Sequence, residues 1–276
     1  MMRHTAAEYF SDGLRLQADL ADTDAATRVL EAFRNVPREA FAGPGPWRFR
    51  SPLSPRTTLV TSPDADPRWL YHDMLVVLDE AKGINIGQPS MWARLLAKTN
   101  IPNGARILQV GSGVGYYTAI LSQLVGPDGF VFAYDVEAEL IERATSNLAD
   151  YDNVRLRHGN AATGLTDEGP FDAVIAFAGV THVPCAWSTQ LDKNSVLLLP
   201  LTGRQGAGAM ILAQPDENGF SARTIGRCGF YHCLGARTES LAAKIDKMFS
   251  DPTRMEDWKF WITAAGETTD FVRPSK

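Results

Sequence analysis

Cysteine is scarce in this chain, with three residues (Cys185, Cys228 and Cys233) among 276. So few exclude a disulfide framework and point to a reducing, cytoplasmic setting. Positive charge is also short. Lys and Arg number 27 against 32 Asp and Glu, a net charge of −5, so the electrostatic footprint of a nucleic-acid partner is missing. No apolar run approaches the ~20 residues that span a bilayer. The opening MMRHTAAEYFSDGLRLQADLAD is polar, helical in pattern and without the apolar stretch of a signal peptide. Neither a membrane partner nor a targeting segment is expected. The run Cys-Gly-Phe-Tyr-His-Cys (228–233) holds three metal-ligating side chains. It alternates like a strand, which would send neighbouring side chains to opposite faces, so no metal is expected there.

What is present is ordinary for a globular protein: 45% hydrophobic and 21% charged residues. The length suits one large α/β domain with appendages or two modest ones. Thr23 or Asp24 can cap a helix over AATRVLEAFRNV, with Val29, Leu30, Phe33 and Val36 on one face and Pro37 as its stop. Prolines and glycines then mark irregular chain as far as Pro67. Leu70 to Leu78 has β character, and Gln88 to Lys98 reads as a helix with proline in its first turn.

From Arg106 the pattern becomes regular. ILQV, the segment ending at Asp135, VRLRHG, FDAVIAFAG and SVLLLPL read as strands, and EAELIERATSNLAD as an amphipathic helix between them. Alternating helices and continuously apolar strands imply a mostly parallel sheet covered on both faces. Beyond Gly203, GAGAMILAQ and FSARTIGRCGFYHCL read as an antiparallel pair joined at Pro215–Gly219, followed by the helix ESLAAKIDKMF. Three regions result: an N-terminal helical and irregular extension (1–80), a nucleoside-binding α/β core (81–203), and a C-terminal strand pair with a helix (204–276) that completes or caps the core.

Residues Ile107 to Asp135 carry the sharpest signal. A strand, the loop Gly111-Ser112-Gly113-Val114-Gly115, a helix from about Tyr116 and a second strand ending at Asp135 make a βαβ unit. Such a unit places a nucleoside at the carboxyl ends of its strands. Asp135, twenty residues beyond Gly115, stands where an acidic side chain accepts hydrogen bonds from ribose hydroxyls, with Val136 beside it. The spacing is G-x-G-x-G, not the dinucleotide G-x-G-x-x-G, and the helix opens on two bulky tyrosines. That pattern suits the sulfonium nucleoside S-adenosyl-L-methionine better than a pyrophosphate. The competing reading of the glycines is close helix–strand packing alone.

From Val29 to about Leu201 the chain resembles the protein-L-isoaspartate O-methyltransferases. The resemblance rests on RVLEAFRNVPREAF, GINIGQPSMWARLL, ILQVGSGVGYYTAILSQLVG, FDAVIAFAGVTHVPCAWSTQL and SVLLLPLTG, in the family's order. It implies a Rossmann-like class I methyltransferase fold, S-adenosyl-L-methionine as methyl donor, and transfer to a carboxylate on a peptide or protein. It also carries departures. The family's Thr-Ile-Ser segment, whose serine lies beside the acceptor, is Asn85-Ile86-Gly87 here. The acid before the glycine loop is Gln109, and the Gly-Asp that meets adenine is Gly159-Asn160, followed by Ala161. Asn160 still offers a donor and an acceptor. The tail beyond Gly203 is similar to that of relatives which esterify an aspartate in peptide natural products.

Methyl transfer from a sulfonium needs alignment and exclusion of water more than acid–base help. A carboxylate acceptor is already a nucleophile at pH 7. Asn85 and Ser90, flanking a helix start, are candidates to orient it, against plain turn and first-turn roles. A hydroxyl or amine acceptor would want a general base, for which His182, just past a core strand, is the candidate. Its competing role is a hydrogen bond within the loop. Trp92 and Tyr116 are candidate walls of the site. The expected activity is therefore O-methylation of a carboxylate on a peptide or peptide-like natural product. The alternatives are a small-molecule O- or N-methyltransferase and a nucleoside-binding descendant that no longer methylates. The last forty residues are candidates for a lid or a homodimer contact.

Overall fold

A computed structural model describes residues 5–51, 59–165, 167–217 and 219–263. The N-terminal part opens with helices α1 (Ala6–Gln17), α2 (Asp24–Asn35) and α3 (Glu39–Ala42). Thr5 and Glu8 form a reciprocal capping box on α1. Thr23 caps α2 through the Ala26 N–H. Val29, Leu30, Phe33 and Val36 are all buried, as the helical spacing requires. Phe33 lies edge-on to both Tyr116 and Tyr117, at 6.3 Å each, so this extension packs directly behind the glycine loop.

Four short strands follow: β1 (Arg48–Arg50), β2 (Val60–Thr61), β3 (Leu75–Asp79) and β4 (Ile84–Ile86). They pair in the order β2-β1-β3-β4, antiparallel throughout. The β character expected from Leu70 begins only at Leu75. Asp66 accepts the Arg68 N–H and turns Pro67–Leu70 into a 3-10 helix, where Pro67 also fits the first turn. Helix α4 (Pro89–Thr99) then begins one residue later than expected. Of the prolines expected to mark irregular chain, Pro52 and Pro55 lie outside the described residues.

The main sheet is built from β5 (Arg106–Val110), β6 (Phe130–Asp135), β7 (Val154–His158), β8 (Phe171–Ala176), β9 (Leu191–Thr202), β10 (Ala207–Asp216), β11 (Gly219–Gly229) and β12 (Glu256–Thr263). Its order is β12-β11-β10-β9-β8-β5-β6-β7. Strands β5 to β9 run parallel, and β10 to β12 continue the same sheet antiparallel. Helices α5 (Tyr116–Val125), α6 (Ala138–Asn147), α7 (Ala161–Gly164), α8 (Cys185–Ser188) and α9 (Glu239–Met248) complete the layers.

Alternation along the strands divides the core between two faces. Ile107, Val131 and Ala133 join a cluster with Phe33, Trp92 and Ile120. Leu108, Phe132 and Tyr134 face the other way and pack with Trp187, Ile245 and Phe249. The result is the mostly parallel, Rossmann-like α/β fold with helices on both faces. Strand β5 has β6 on one side and β8 on the other, so the chain leaves it in opposite directions. Such a switch point opens a crevice at the carboxyl ends of the strands.

The antiparallel strand pair lies where the sequence suggests, although Asn218 of its turn is outside the described residues. Its second strand ends at Gly229 and does not run on to Leu234. The Phe230 N–H donates to the Gly206 carbonyl, and His232 forms a lone parallel bridge with Gly179. Residues 230–236 therefore form a strap across the end of the sheet, and the strand-like alternation of 228–233 does not persist. Strand β12 has no counterpart in the sequence reading, and of the small N-terminal sheet only β3 has one. No described helix is long and apolar enough to cross a membrane.

Candidate active site

A cavity of about 1050 Å3 opens at the switch point. One half is lined by a contiguous part of the chain. Val110 to Val114 follow β5, Tyr134 to Glu137 follow β6, and Gly159 to Ala161 follow β7. Gly111 has φ +89° and Gly113 φ +56°, values that disfavour a side chain. The Gly111 and Ser112 N–H groups donate to the Tyr134 carbonyl at 2.8 and 3.1 Å, which ties the loop to β6. A Cβ on Gly113 would meet no atom within 4 Å, so this glycine opens directly onto the cavity.

Asp135 closes the same half. Its Oδ2 accepts the Gly113 N–H at 2.8 Å and its Oδ1 the Glu137 N–H at 3.0 Å. Burial holds its carboxyl above the ordinary carboxylate range, opposed by those backbone donors. The carboxylate keeps acceptor capacity beyond these donors. Asn160 caps α7, accepting the Ala162 N–H on Oδ1 at 2.9 Å. Its Nδ2 lies 3.0 Å from where a Cβ on Gly235 of the strap would sit. An open glycine cradle, a ribose-height carboxylate and an amide at the far end fit a nucleoside such as S-adenosyl-L-methionine.

Three candidate donor contacts stand differently from the sequence expectation. Gln109 is fully buried beneath the loop and does not line the cavity, with Oε1 unpartnered and Nε2 only 3.4 Å from the Gly111 carbonyl. Gly115 is also absent from the lining. A Cβ there would stand 2.7 Å from Leu148 Cδ1, so this glycine serves the packing of α5 on α6. Tyr116 lines the cavity but is 1% exposed, and burial pushes its phenol up to about 12. Gly111, Ser112, Gly113, Asp135, Val136, Asn160 and Ala161 all line the cavity.

The second half is assembled from distant segments: the β3–β4 hairpin, the start of α4, Phe177 beyond β8, the Gln205–Ala207 turn and the strap. Asn85 lines it. Its Nδ2 donates to the Tyr231 hydroxyl at 2.7 Å and to the Gly83 carbonyl at 3.1 Å, and the Tyr231 hydroxyl itself donates to Gly83. Ser90 does not line it. Asp73 accepts the Ser90 N–H at 2.7 Å, the Ser90 hydroxyl at 2.6 Å and the Gln88 amide at 2.9 Å, so Ser90 is occupied in starting α4. His182 is likewise not in the lining. Its Nδ1 lies 3.2 Å from the Thr181 hydroxyl, and burial lowers its pKa. The imidazole that does line the cavity is His232.

Trp92 dominates this half. It stacks on Phe177 with centroids 3.8 Å apart and planes at 18°, while Phe230 meets it edge-on at 6.0 Å. Phe177, Asp73 and the strap escaped the sequence reading. For Phe177 the available signal was its place as the first residue past a parallel strand.

Residues 55–233 match the family model Protein-L-isoaspartate(D-aspartate) O-methyltransferase, which covers more than half of the chain. The chain belongs to this family. Its members are methyltransferases that use S-adenosyl-L-methionine, and the chain is an enzyme of that class. The isoaspartate O-methyltransferase of Roseiflexus sp. is 30% identical over 203 residues, 73% of this chain and 80% of that protein. The Methanothermobacter thermautotrophicus protein of the same name is 27% identical over 210 residues, covering 75% and 87%. A solved isoaspartate O-methyltransferase superimposes with TM-score 0.68 at 20% identity, over 92% of this chain and 72% of that one. The Plasmodium falciparum family member, solved with S-adenosyl-L-homocysteine, gives 0.61 at 19% identity, over 84% and 100%. At those identities the structures speak for the fold, which agrees.

Proposed function

We propose that the enzyme transfers a methyl group from S-adenosyl-L-methionine to a carboxylate of a peptide or peptide-like natural product, apart from general isoaspartate repair. The observation that carries this reading is the contrast within one cavity. The half formed by Gly111–Val114, Asp135 and Asn160 keeps the geometry of a nucleoside site, whereas glycine at 87 and the indole of Trp92 occupy the half where the family places its serine. Bound in the first half, the cofactor supplies an electrophilic methyl on a sulfonium.

The rest is alignment. Asp135 would accept the ribose hydroxyls, and Asn160 would meet the adenine edge. Gly113 would let the methionine moiety pass close to the backbone. On the acceptor side, Asn85 would orient the carboxylate by turning one Nδ2 hydrogen to it from the Tyr231 hydroxyl, while Phe177, Trp92 and Phe230 exclude water. A carboxylate needs no base. That agrees with a lining from which His182 is absent. We also propose that residues 81–203 form the donor-binding core, with 1–80 as an N-terminal extension and 204–276 completing or capping that core. Cys185, Cys228 and Cys233 are all unpaired, which supports a reducing compartment.

A second reading, methylation of a hydroxyl or amine on a small molecule, is favoured by one observation, the presence of His232 on the cavity wall. The test is transfer of labelled methyl from S-adenosyl-L-methionine to aspartyl and isoaspartyl peptides, with the product treated in mild base. Label released as methanol marks an ester and supports the carboxylate. Label that resists base, and disappears in His232→Ala, would support the second reading.

A further inference from the structure

We infer that Gly87 and Trp92 form a single steric unit that sets acceptor choice, and that the acid methylated is carried next to an aromatic side chain of a peptide. The inference rests on the carboxylate reading above and narrows it. A Cβ built on Gly87 would stand 2.7 Å from Trp92 Nε1 and 3.1 Å from its Cδ1. Contacts that short force something to move, and nothing nearby is free to do so. The Gly87 carbonyl accepts the Tyr117 hydroxyl at 2.7 Å. The first turn of α4 is pinned by the three hydrogen bonds to Asp73. Trp92 itself is fully buried and stacked on Phe177. Any side chain at position 87 and the indole at position 92 therefore exclude each other.

The consequence is chemical. Where a hydroxyl at position 87 would offer a polar contact, the wall is a run of rings: Trp92 behind, with Phe177 and Phe230 half-buried in front. Offset and edge-to-face ring contacts favour an aromatic guest beyond its apolar area alone. Arg227 lines the same cavity with an exposed side chain, so an anionic guest is also favoured. A peptide carrying an acid beside an aromatic residue satisfies both features.

The test uses the full chain saturated with S-adenosyl-L-homocysteine, so that no turnover is needed. Two blocked peptides are titrated by calorimetry, each in an aspartyl and an isoaspartyl form, one with the acid followed by phenylalanine and one with the acid followed by glycine. The phenylalanine peptide should bind at least tenfold tighter, and Trp92→Ala should abolish the difference. Because Trp92→Ala removes a buried side chain, Phe177→Leu serves as the second variant and should also reduce the difference. Equal binding of the two peptides overturns the inference, as does a preference that survives in both variants, or failure of both peptides to bind the loaded enzyme. Failure of S-adenosyl-L-homocysteine itself to bind would strike the donor assignment instead.

Discussion

The two halves of the cavity, proposed above as the donor and acceptor sides, are made in different ways. The donor half comes from one stretch of chain, and its contacts are mostly backbone: glycines with positive φ, N–H groups tied to Tyr134 and Asp135, a capped helix start. The acceptor half is assembled from the β3–β4 hairpin, α4, Phe177 and the strap, and its contacts are side-chain rings. Backbone geometry tolerates substitution around it so long as the glycines remain. A wall of interlocking rings changes its shape with any one of them. Donor chemistry can therefore persist in a scaffold whose acceptor preference has changed.

Trp92→Ala should give the largest effect. Removing a fully buried tryptophan costs about 3–5 kcal/mol, visible as a fall in urea midpoint, while the molecules that remain folded keep their affinity for S-adenosyl-L-homocysteine. A matching loss of affinity would show that the halves are not separable.

Next come two glycines of the same loop. Gly115→Ala sets a Cβ 2.7 Å from Leu148 at φ +92° and should cost roughly 2–3 kcal/mol of stability. Gly113→Ala, open to the cavity, should cost about 1 kcal/mol of stability but weaken donor affinity about tenfold. Thermal unfolding and calorimetry on the pair separate packing from binding.

Gly87→Ser sharpens the acceptor side. Alone it should destabilise by about 1–3 kcal/mol through overpacking. In a Trp92→Val background the same change should cost much less, and the resulting coupling is read from a double-mutant cycle of urea midpoints.

The smallest effect is one of pH. Burial raises the Asp135 carboxyl above its ordinary value of 3.8, so its folded pKa exceeds its unfolded one. Acidification through that window protonates the native state first and stabilises it through this group, and the gain is lost as pH rises through the folded pKa. Donor affinity should move the other way, falling as the carboxylate is neutralised. Titrations with S-adenosyl-L-homocysteine between about pH 7 and about pH 4 would record this.

The same contrast explains what the sequence disclosed. The donor half was legible because its parts are close in sequence and each carries a local signature: an alternating strand, glycines, a terminal acid. Even so, Gly115 and Gln109 could not be told from true lining residues, because packing against Leu148 and burial under the loop depend on distant elements. The acceptor half was largely hidden. Asn85 and Trp92 could be suspected from the family pattern, but Asp73, which occupies Ser90, lies seventeen residues upstream of it. The strap reads as strand because its residues alternate in sequence, and backbone bonds to Gly206 and Gly179, far away in the chain, turn it aside. Strand β12 went unseen because Glu256–Thr263 lies next to a short 3-10 turn and far from the periodic core.

The most direct test of the proposed division of the cavity into a donor half and an acceptor half is calorimetric titration of the purified protein and its Asp135→Ala variant with S-adenosyl-L-homocysteine. The expected result is binding to one site per chain, weakened about a hundredfold by Asp135→Ala as two charged hydrogen bonds are lost. No binding by the native protein, or equal affinity in the variant, would contradict it.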